Sequence, residues 1–206
     1  MNENGVITVV SGFAGTGKGT VMKKLVREYD HYALSVSMTT RDPRPGEVDG
    51  REYFFTDEPS FLKAVEEDRL IEHACYCGKY YGTPRDYVDR KLSEGKDVLL
   101  EIEIQGALQI KEKFPEAFLI FILPPSSDEL VKRLRGRGTE TEEQVKNRLK
   151  RAGHESEGIE KYDAVVVNDD VSACADAIDL LVRAAKFRPS HNEDFINTVR
   201  SGILSL

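Results

Sequence analysis

The stretch VVSGFAGTGKGT, Val9 to Thr20, combines a Gly-rich turn with one lysine in an arrangement that cradles phosphate. A turn of this kind between an apolar strand and a helix aims backbone N–H groups at one point, and the helix dipole adds positive potential there. Gly12, Gly15 and Gly17 permit the turn, Phe13, Ala14 and Thr16 fill it, and Lys18 brings a cation to the β- and γ-phosphates. The pattern G-x-x-x-x-G-K-S/T fails at its last position, because Gly19 stands where Ser or Thr would offer Mg²⁺ a hydroxyl. Thr20 comes one residue later. A metal held here must lean on nucleotide oxygens, water and a carboxylate from elsewhere. Glu101, at the end of DVLLE, is expected to contribute more to Mg²⁺ than Thr20, since ligands of open α/β sheets gather at the carboxyl ends of strands.

A second constellation lies in SVSMTTRDPRPGEVDGREYFF, residues 35–55. Arg41 and Arg44 stand three apart beside Thr39, Thr40 and Tyr53, and Pro43 and Pro45 stiffen the loop that carries them. Two guanidinium forks with hydroxyls make a clamp for a phosphate monoester, although a solvated basic loop would carry the same charges. Glu72 sits in LIEHA, an acid among apolar residues that is either an edge-strand acid or a buried acceptor. Arg133 and Arg137 are one helical turn apart and share a face if the helix persists that far.

These groups need a frame. VITVV (6–10), ALSVS (33–37), DVLLEI (97–102), FLIFIL (118–123) and AVVVN (164–168) have strand length and read as strands buried on both faces. Helical patterns alternate with them. GTVMKKLVREY follows the first, PRDYVDRKLSEG opens with Pro84 at its first position, and TEEQVKNRLKRA opens with a Thr141–Gln144 capping box. The alternation predicts an α/β fold with right-handed crossovers. Residues 38–82 interrupt it with short β-like runs, residues 126–157 read as a charged, mobile helical flap, and the tail reads as a peripheral helix.

The whole chain has 206 residues and a net charge of −7, which argues against a duplex nucleic-acid binder. No apolar run approaches a membrane span and the start is not signal-like, so a cytoplasmic location is expected. Cys75, Cys77 and Cys174 form no disulfide framework and are expected as reduced thiols, the first two facing one way along a strand.

The ordered set SVSMTTRDPRPGEVDGREY, LIEHACYCGKYYGTP, EIEIQGA, KRLRGRGTETEE and VVVNDD resembles guanylate kinase, over residues 5–185. The resemblance implies a three-layer P-loop α/β fold with a five-stranded parallel core sheet, an inserted mixed-β monophosphate-binding lobe and a helical lid. The corresponding divisions of a single domain are core 1–37, 83–125 and 158–206, lobe 38–82 and lid 126–157. It implies that Arg41, Arg44, Tyr53 and Tyr81 hold the GMP phosphate, that Glu72, Thr83, Ser37 and Glu103 read guanine, and that Lys18 and its loop hold ATP. Arg133, Arg137 and Arg148 would close over the transferring group, and Asn168 would lie near adenine. Arg69 before LIE, Thr83 for a frequent Ser, and Glu101 and Glu103 for frequent Asp depart from the family pattern.

The expected reaction is ATP + GMP ⇌ ADP + GDP, with dGMP as a further acceptor and Mg²⁺ as cofactor. Expected partners are the two nucleotides, with no nucleic acid or membrane, in a monomer or homodimer. Another nucleoside monophosphate kinase, a non-catalytic binding module and a GTPase are the alternatives. Glu72 and the TTRDPRPGE clamp disfavour the first, Lys18 and its glycines the second, and the lack of an N-K-x-D sequence the third.

Overall fold

A computed structural model describes residues 5–76, 78–136 and 141–205. Arg137 and Cys77 lie outside the described residues. Strand β1 (Ile7–Gly12) leads into α1 (Lys18–Glu28) and β2 (Tyr32–Leu34). An excursion follows, with β3 (Met38–Thr39), β4 (Phe54–Phe55), α2 (Glu58–Glu66), β5 (Leu70–Tyr76) and β6 (Lys79–Pro84). The chain returns through α3 (Arg85–Ser93), β7 (Asp97–Glu101), α4 (Ile104–Lys113) and β8 (Phe118–Leu123). Helices α5 (Ser127–Gly136) and α6 (Glu142–Ser156) precede β9 (Ala164–Val167), α7 (Val171–Ala185) and α8 (Glu193–Leu204).

The core sheet has the order β2-β7-β1-β8-β9 and every neighbouring pair is parallel. Successive side chains of a strand point to opposite faces, so adjacent residues feed different cores. Val10, Leu99 and Ile120 pack with Met22 and Leu25 of α1 and Ile178 and Val182 of α7. Val9, Leu100 and Leu119 pack with Val88 of α3 and Ala107 and Ile110 of α4. Each buried Val, Leu, Ile or Met among them contributes roughly 1.5–3 kcal/mol of burial. Helices on both faces explain why these strands read as continuous apolar runs.

Two local expectations are corrected. The second strand stops at Leu34 rather than continuing to residue 37: after one further bond from Ser35 N to Leu99 O, the chain leaves for β3. Pro84 is the last residue of β6, paired with Leu70 and extended (φ −61°, ψ 125°), so α3 begins one residue later.

The excursion forms a second sheet, β4-β3-β6-β5, mixed because β3 and β4 are parallel and the other pairs antiparallel. It has a small core of Phe61, Ala64 and Leu70, with Phe61 stacked on Tyr80. Its β5 is bound to α4 of the main body. The Gln109 amide accepts from His73 N (3.2 Å) and donates to His73 O (2.8 Å), and Lys113 donates to Ile71 O (2.9 Å). Leu130 and Leu134 of α5 and Val145 and Ala152 of α6 pack onto Phe13 and Phe121. Helix α6 opens with the expected capping box, Gln144 N to Thr141 Oγ1 and Thr141 N to Gln144 Oε1.

Candidate active site

The loop after β1 is built on backbone that only glycine takes easily. Gly17 caps α1 at φ 86°, and a Cβ there would come within 2.6 Å of Asn168 Nδ2. No side chain caps α1, so its positive end faces the loop. The Thr16 hydroxyl donates to Phe13 O (2.9 Å) and serves the loop's own shape. Lys18 Nζ donates to Gly12 O (2.5 Å) and Phe13 O (3.1 Å), which folds the cation across the loop.

One cavity runs from this loop to the second sheet. Gly12, Ala14, Lys18, Ser37, Arg41, Arg44, Tyr53, Glu72, Tyr81, Glu101, Glu103 and Glu155 line it. Its volume of about 260 Å³ suits one small ligand. At the lobe end, Arg41 donates to Glu47 Oε1 (2.9 Å), while Glu47 Oε2 accepts from Arg44 N (2.7 Å). A single carboxylate thus fixes the loop that bears both guanidinium groups. The Arg41 guanidinium also lies 5.2 Å from the centre of the Tyr53 ring, and Tyr53 meets Tyr81 edge to face at 6.0 Å.

Glu72 is a buried acceptor, only 3% exposed. Its Oε1 accepts the Thr83 hydroxyl at 2.6 Å. Burial pushes its carboxyl up to about 7; the Thr83 bond and Lys113 pull it down, and Glu103 pushes it further up. Thr83 itself is fully buried behind Glu72, off the cavity wall. In this structure its hydroxyl orients the carboxylate and does not face the space a ligand would fill. On the other side, a Cβ at Gly106 would meet Glu72 Oε2 at 2.5 Å. Only glycine in the first turn of α4 lets the carboxylate lie there.

Glu103 caps α4 through Gly106 N (2.9 Å), and its other oxygen, Oε2, is buried without a hydrogen-bond partner. Arg151 of α6 approaches that oxygen at 4.0 Å and donates to Glu155 Oε1 at 2.8 Å. Glu101 lies at the solvent-reached mouth of the cavity. Crowding by protein raises its pKa, and Lys18 and Lys23 act in the opposite sense. A Cβ at Gly19 would stand 3.7 Å from both Glu101 carboxylate oxygens, so this carboxylate faces the place where the missing hydroxyl would have been.

A second cavity lies on the other side of the loop, lined by Gly15, Gly17, Thr20, Arg133, Gly136, Asn168 and Asp169. Asn168 is buried, and its Nδ2 donates to Thr16 O at 2.7 Å. It therefore braces the loop as well as lining this cavity. Arg133 donates to Glu129 Oε1 (2.9 Å) and to Asn168 O (3.0 Å). Thr20 lines this second cavity and Glu101 the first, so the two expected metal ligands open into different spaces. Arg148, on α6, lines neither cavity.

Four contributors escaped the sequence reading: Glu47, Gln109, Arg151 and Glu155. Glu47 was within the quoted loop and carried a usable signal, an acid three residues after Arg44. The other three depend on how α4 and α6 pack, which no local pattern announces.

A family profile described as guanylate kinase matches residues 5–185. The chain is similar to the guanylate kinase of Caldanaerobacter subterraneus subsp. tengcongensis, 47% identical over 200 residues and 97% of each chain. It is similar to that of Oceanobacillus iheyensis, 50% identical over 184 residues and 89% of each chain. Among solved structures, the crystal structure of guanylate kinase from Anaplasma phagocytophilum aligns with TM-score 0.74 and 37% identity, covering 90% of this chain and 88% of that one.

Proposed function

The chain belongs to the guanylate kinase family, which phosphorylates GMP with ATP to give GDP, and from that premise we propose which side chains carry each part of the reaction. GMP occupies the first cavity. Arg41, Arg44, Tyr53 and Tyr81 hold its phosphate, and Glu72, with Ser37 and Glu103, reads its base. ATP lies along the glycine loop, its terminal phosphates beside Lys18 and its nucleoside toward Asn168 in the second cavity. The observation that carries the assignment is the convergence on one cavity of Lys18, two arginines and a buried carboxylate.

Guanine presents N1–H and the 2-amino group side by side, and a carboxylate accepts both. Adenine has an acceptor at N1 and no 2-amino group. A buried Glu72 would face it unpaired, a mismatch of the kind that discriminates by about 10⁴ or more. Thr83 keeps one carboxylate oxygen in place, and the N-terminus of α4 favours the ionised form. Its raised pKa means that binding guanine draws out the ionised form of a group that otherwise retains a proton near neutrality.

The attacking oxygen belongs to an already ionised phosphate, so no general base is required. The work left is alignment and charge neutralisation. Lys18 and Arg41 neutralise charge from the loop and lobe sides. Arg133, Arg137 and Arg148 act from the lid: Arg133 gives up Glu129 and the Asn168 carbonyl when α5 and α6 move over the loop. This delays charge stabilisation until both nucleotides are seated, which suppresses transfer to water.

The family uses ATP with a divalent metal, and we assign Mg²⁺. Among the described residues no group of three or more His, Cys, Asp or Glu side chains could hold a metal by itself. Glu101, facing the Gly19 position, is the protein group fitted to hold such an ion beside the nucleotide's own oxygens. When bound, Mg²⁺ would supply charge neutralisation of the phosphates.

No described helix is long and apolar enough to cross a membrane; we place the enzyme in the cytoplasm with its nucleotides, with dGMP as a second acceptor. The lobe 38–82 and lid 126–157 are proposed as the parts that move on the core. ADP formation measured with GMP, AMP and dTMP as acceptors tests the assignment. Turnover with GMP alone is expected, and comparable turnover with AMP would refute the role given to Glu72.

A further inference from the structure

Just beyond helix α6 the chain is set tightly against the first turn of α4, because a Cβ at Gly158 would run into Ile104 Cδ1. That contact makes a pivot for the helix. Arg151 stands seven residues before it, about 10 Å along the helix axis. Its guanidinium reaches two carboxylates that line the first cavity, one on each side of the boundary between α6 and the core. Nε donates to Glu155 Oε1 on its own helix (2.8 Å), and Nη2 lies 4.0 Å from Glu103 Oε2 at the start of α4. The second contact stops about 1 Å short of a hydrogen bond. Glu103 Oε1 already caps α4 through Gly106 N, whereas Oε2 is buried and has no hydrogen-bond partner. A buried acceptor left this way is costly, and completing the pair with Arg151 removes the cost.

We propose that Arg151 is a positioning residue that couples the lid to the base site: when guanine fills the cavity, the guanidinium closes onto Glu103 Oε2 and draws α6 toward the core. The inference rests on the role of Glu103 in reading guanine. Its driving force is electrostatic. Guanine displaces water from the cavity that Glu103 and Glu155 line, and the attraction between guanidinium and carboxylate grows as its screening falls. The coupling is reciprocal, so a seated α6 holds GMP more tightly. Advancing Arg151 by about 1 Å on an arm of about 10 Å turns α6 by roughly 6°. Arg148, three residues further from the pivot and on the same side of the helix, then advances by about 1.5 Å. GMP thereby brings forward an arginine assigned to the transferring phosphoryl group. ATP alone leaves the base end of the cavity wet and Arg151 at its present distance.

Steady-state kinetics of Arg151→Ala, Glu103→Gln and the double variant of the full chain, with ATP and GMP, test this. Arg151→Ala is expected to lower kcat about two- to fivefold with KM for ATP unchanged. Glu103→Gln keeps an oxygen for Gly106 N and removes the charge; it should raise KM for GMP about tenfold. In that background, replacing Arg151 as well should change kcat by less than about 1.5-fold, because the two side chains act as one unit. In a Glu155→Gln background the loss from Arg151→Ala should persist. Losses that multiply in the double variant, beside a raised KM for GMP, would overturn the coupling while leaving Glu103 its base contact. So would a loss that disappears with the charge of Glu155. A KM for GMP untouched by Glu103→Gln would remove the base contact itself, and the proposal with it.

Discussion

Replacing Glu72 by Gln separates the stability of this site from its function. The carboxyl is 3% exposed and its pKa rises from the ordinary 4.5 to about 7, mainly through burial. The folded state thus holds the proton more tightly than the unfolded one. Below pH 4.5 both states are protonated and no penalty arises. Between 4.5 and about 7 the unfolded chain ionises first, so stability falls as pH rises; above 7 the full penalty is present. That rise corresponds to roughly 3 kcal/mol. Gln keeps the oxygen that accepts from Thr83 and removes the charge. The ligand-free Glu72→Gln variant should therefore be more stable than wild type at pH 8, by up to ~3 kcal/mol or about 6–12 °C in Tm. The gain should shrink as pH is lowered through 7 to 5. The same variant should raise KM for GMP by about 10²-fold or more, because guanine's donors lose their charged acceptor. Calorimetric melting at pH 5, 6, 7 and 8 reads the first effect and steady-state kinetics the second. Equal melting at pH 8, or a gain that does not vary with pH, would refute the burial argument.

Other substitutions probe neighbouring parts of the account. Gly106→Ala puts a Cβ 2.5 Å from Glu72 Oε2, so KM for GMP should rise about tenfold or more, while KM for ATP stays within about twofold. Unchanged GMP kinetics would show that Glu72 is not held there. Glu101→Gln should weaken the apparent Mg²⁺ affinity in the kinetic assay more than Thr20→Ala does; the opposite order would assign the metal to the hydroxyl. Arg151→Ala breaks a partly exposed link from α6 to Glu103 and the i,i+4 pair with Glu155 within α6, and should lower kcat about two- to fivefold with KM for ATP unchanged. An equal loss in both parameters would indicate a structural role alone.

The legible parts of the sequence were those set by local chemistry. The glycine loop announces itself because a strand–turn–helix with Lys18 needs few long-range contacts to be specified. The alternating strands and helices follow from buried apolar runs, and their assignment to two faces follows from the pleat. Glu72 was legible as an anomaly, an acid inside an apolar run. What stayed hidden depends on pairing at a distance. Thr83 meets Glu72 only because the β5–β6 hairpin brings them together. Gln109 grips His73 only because α4 lies against β5. The early end of β2 reflects the chain's departure for another sheet, which outweighs the β propensity of the residues that follow. Arg133 reads as a cation for phosphate, yet the Glu129 carboxylate and the Asn168 carbonyl hold it in the structure.

The central claim is that the buried carboxylate of Glu72 recognises guanine through its 2-amino group and N1–H. The most direct test compares kcat/KM for GMP and for IMP, which lacks only the 2-amino group, in wild type and in Glu72→Gln. The account predicts a wild-type preference for GMP of about 10²-fold or more that largely vanishes in the variant. A preference that survives the substitution intact would contradict it.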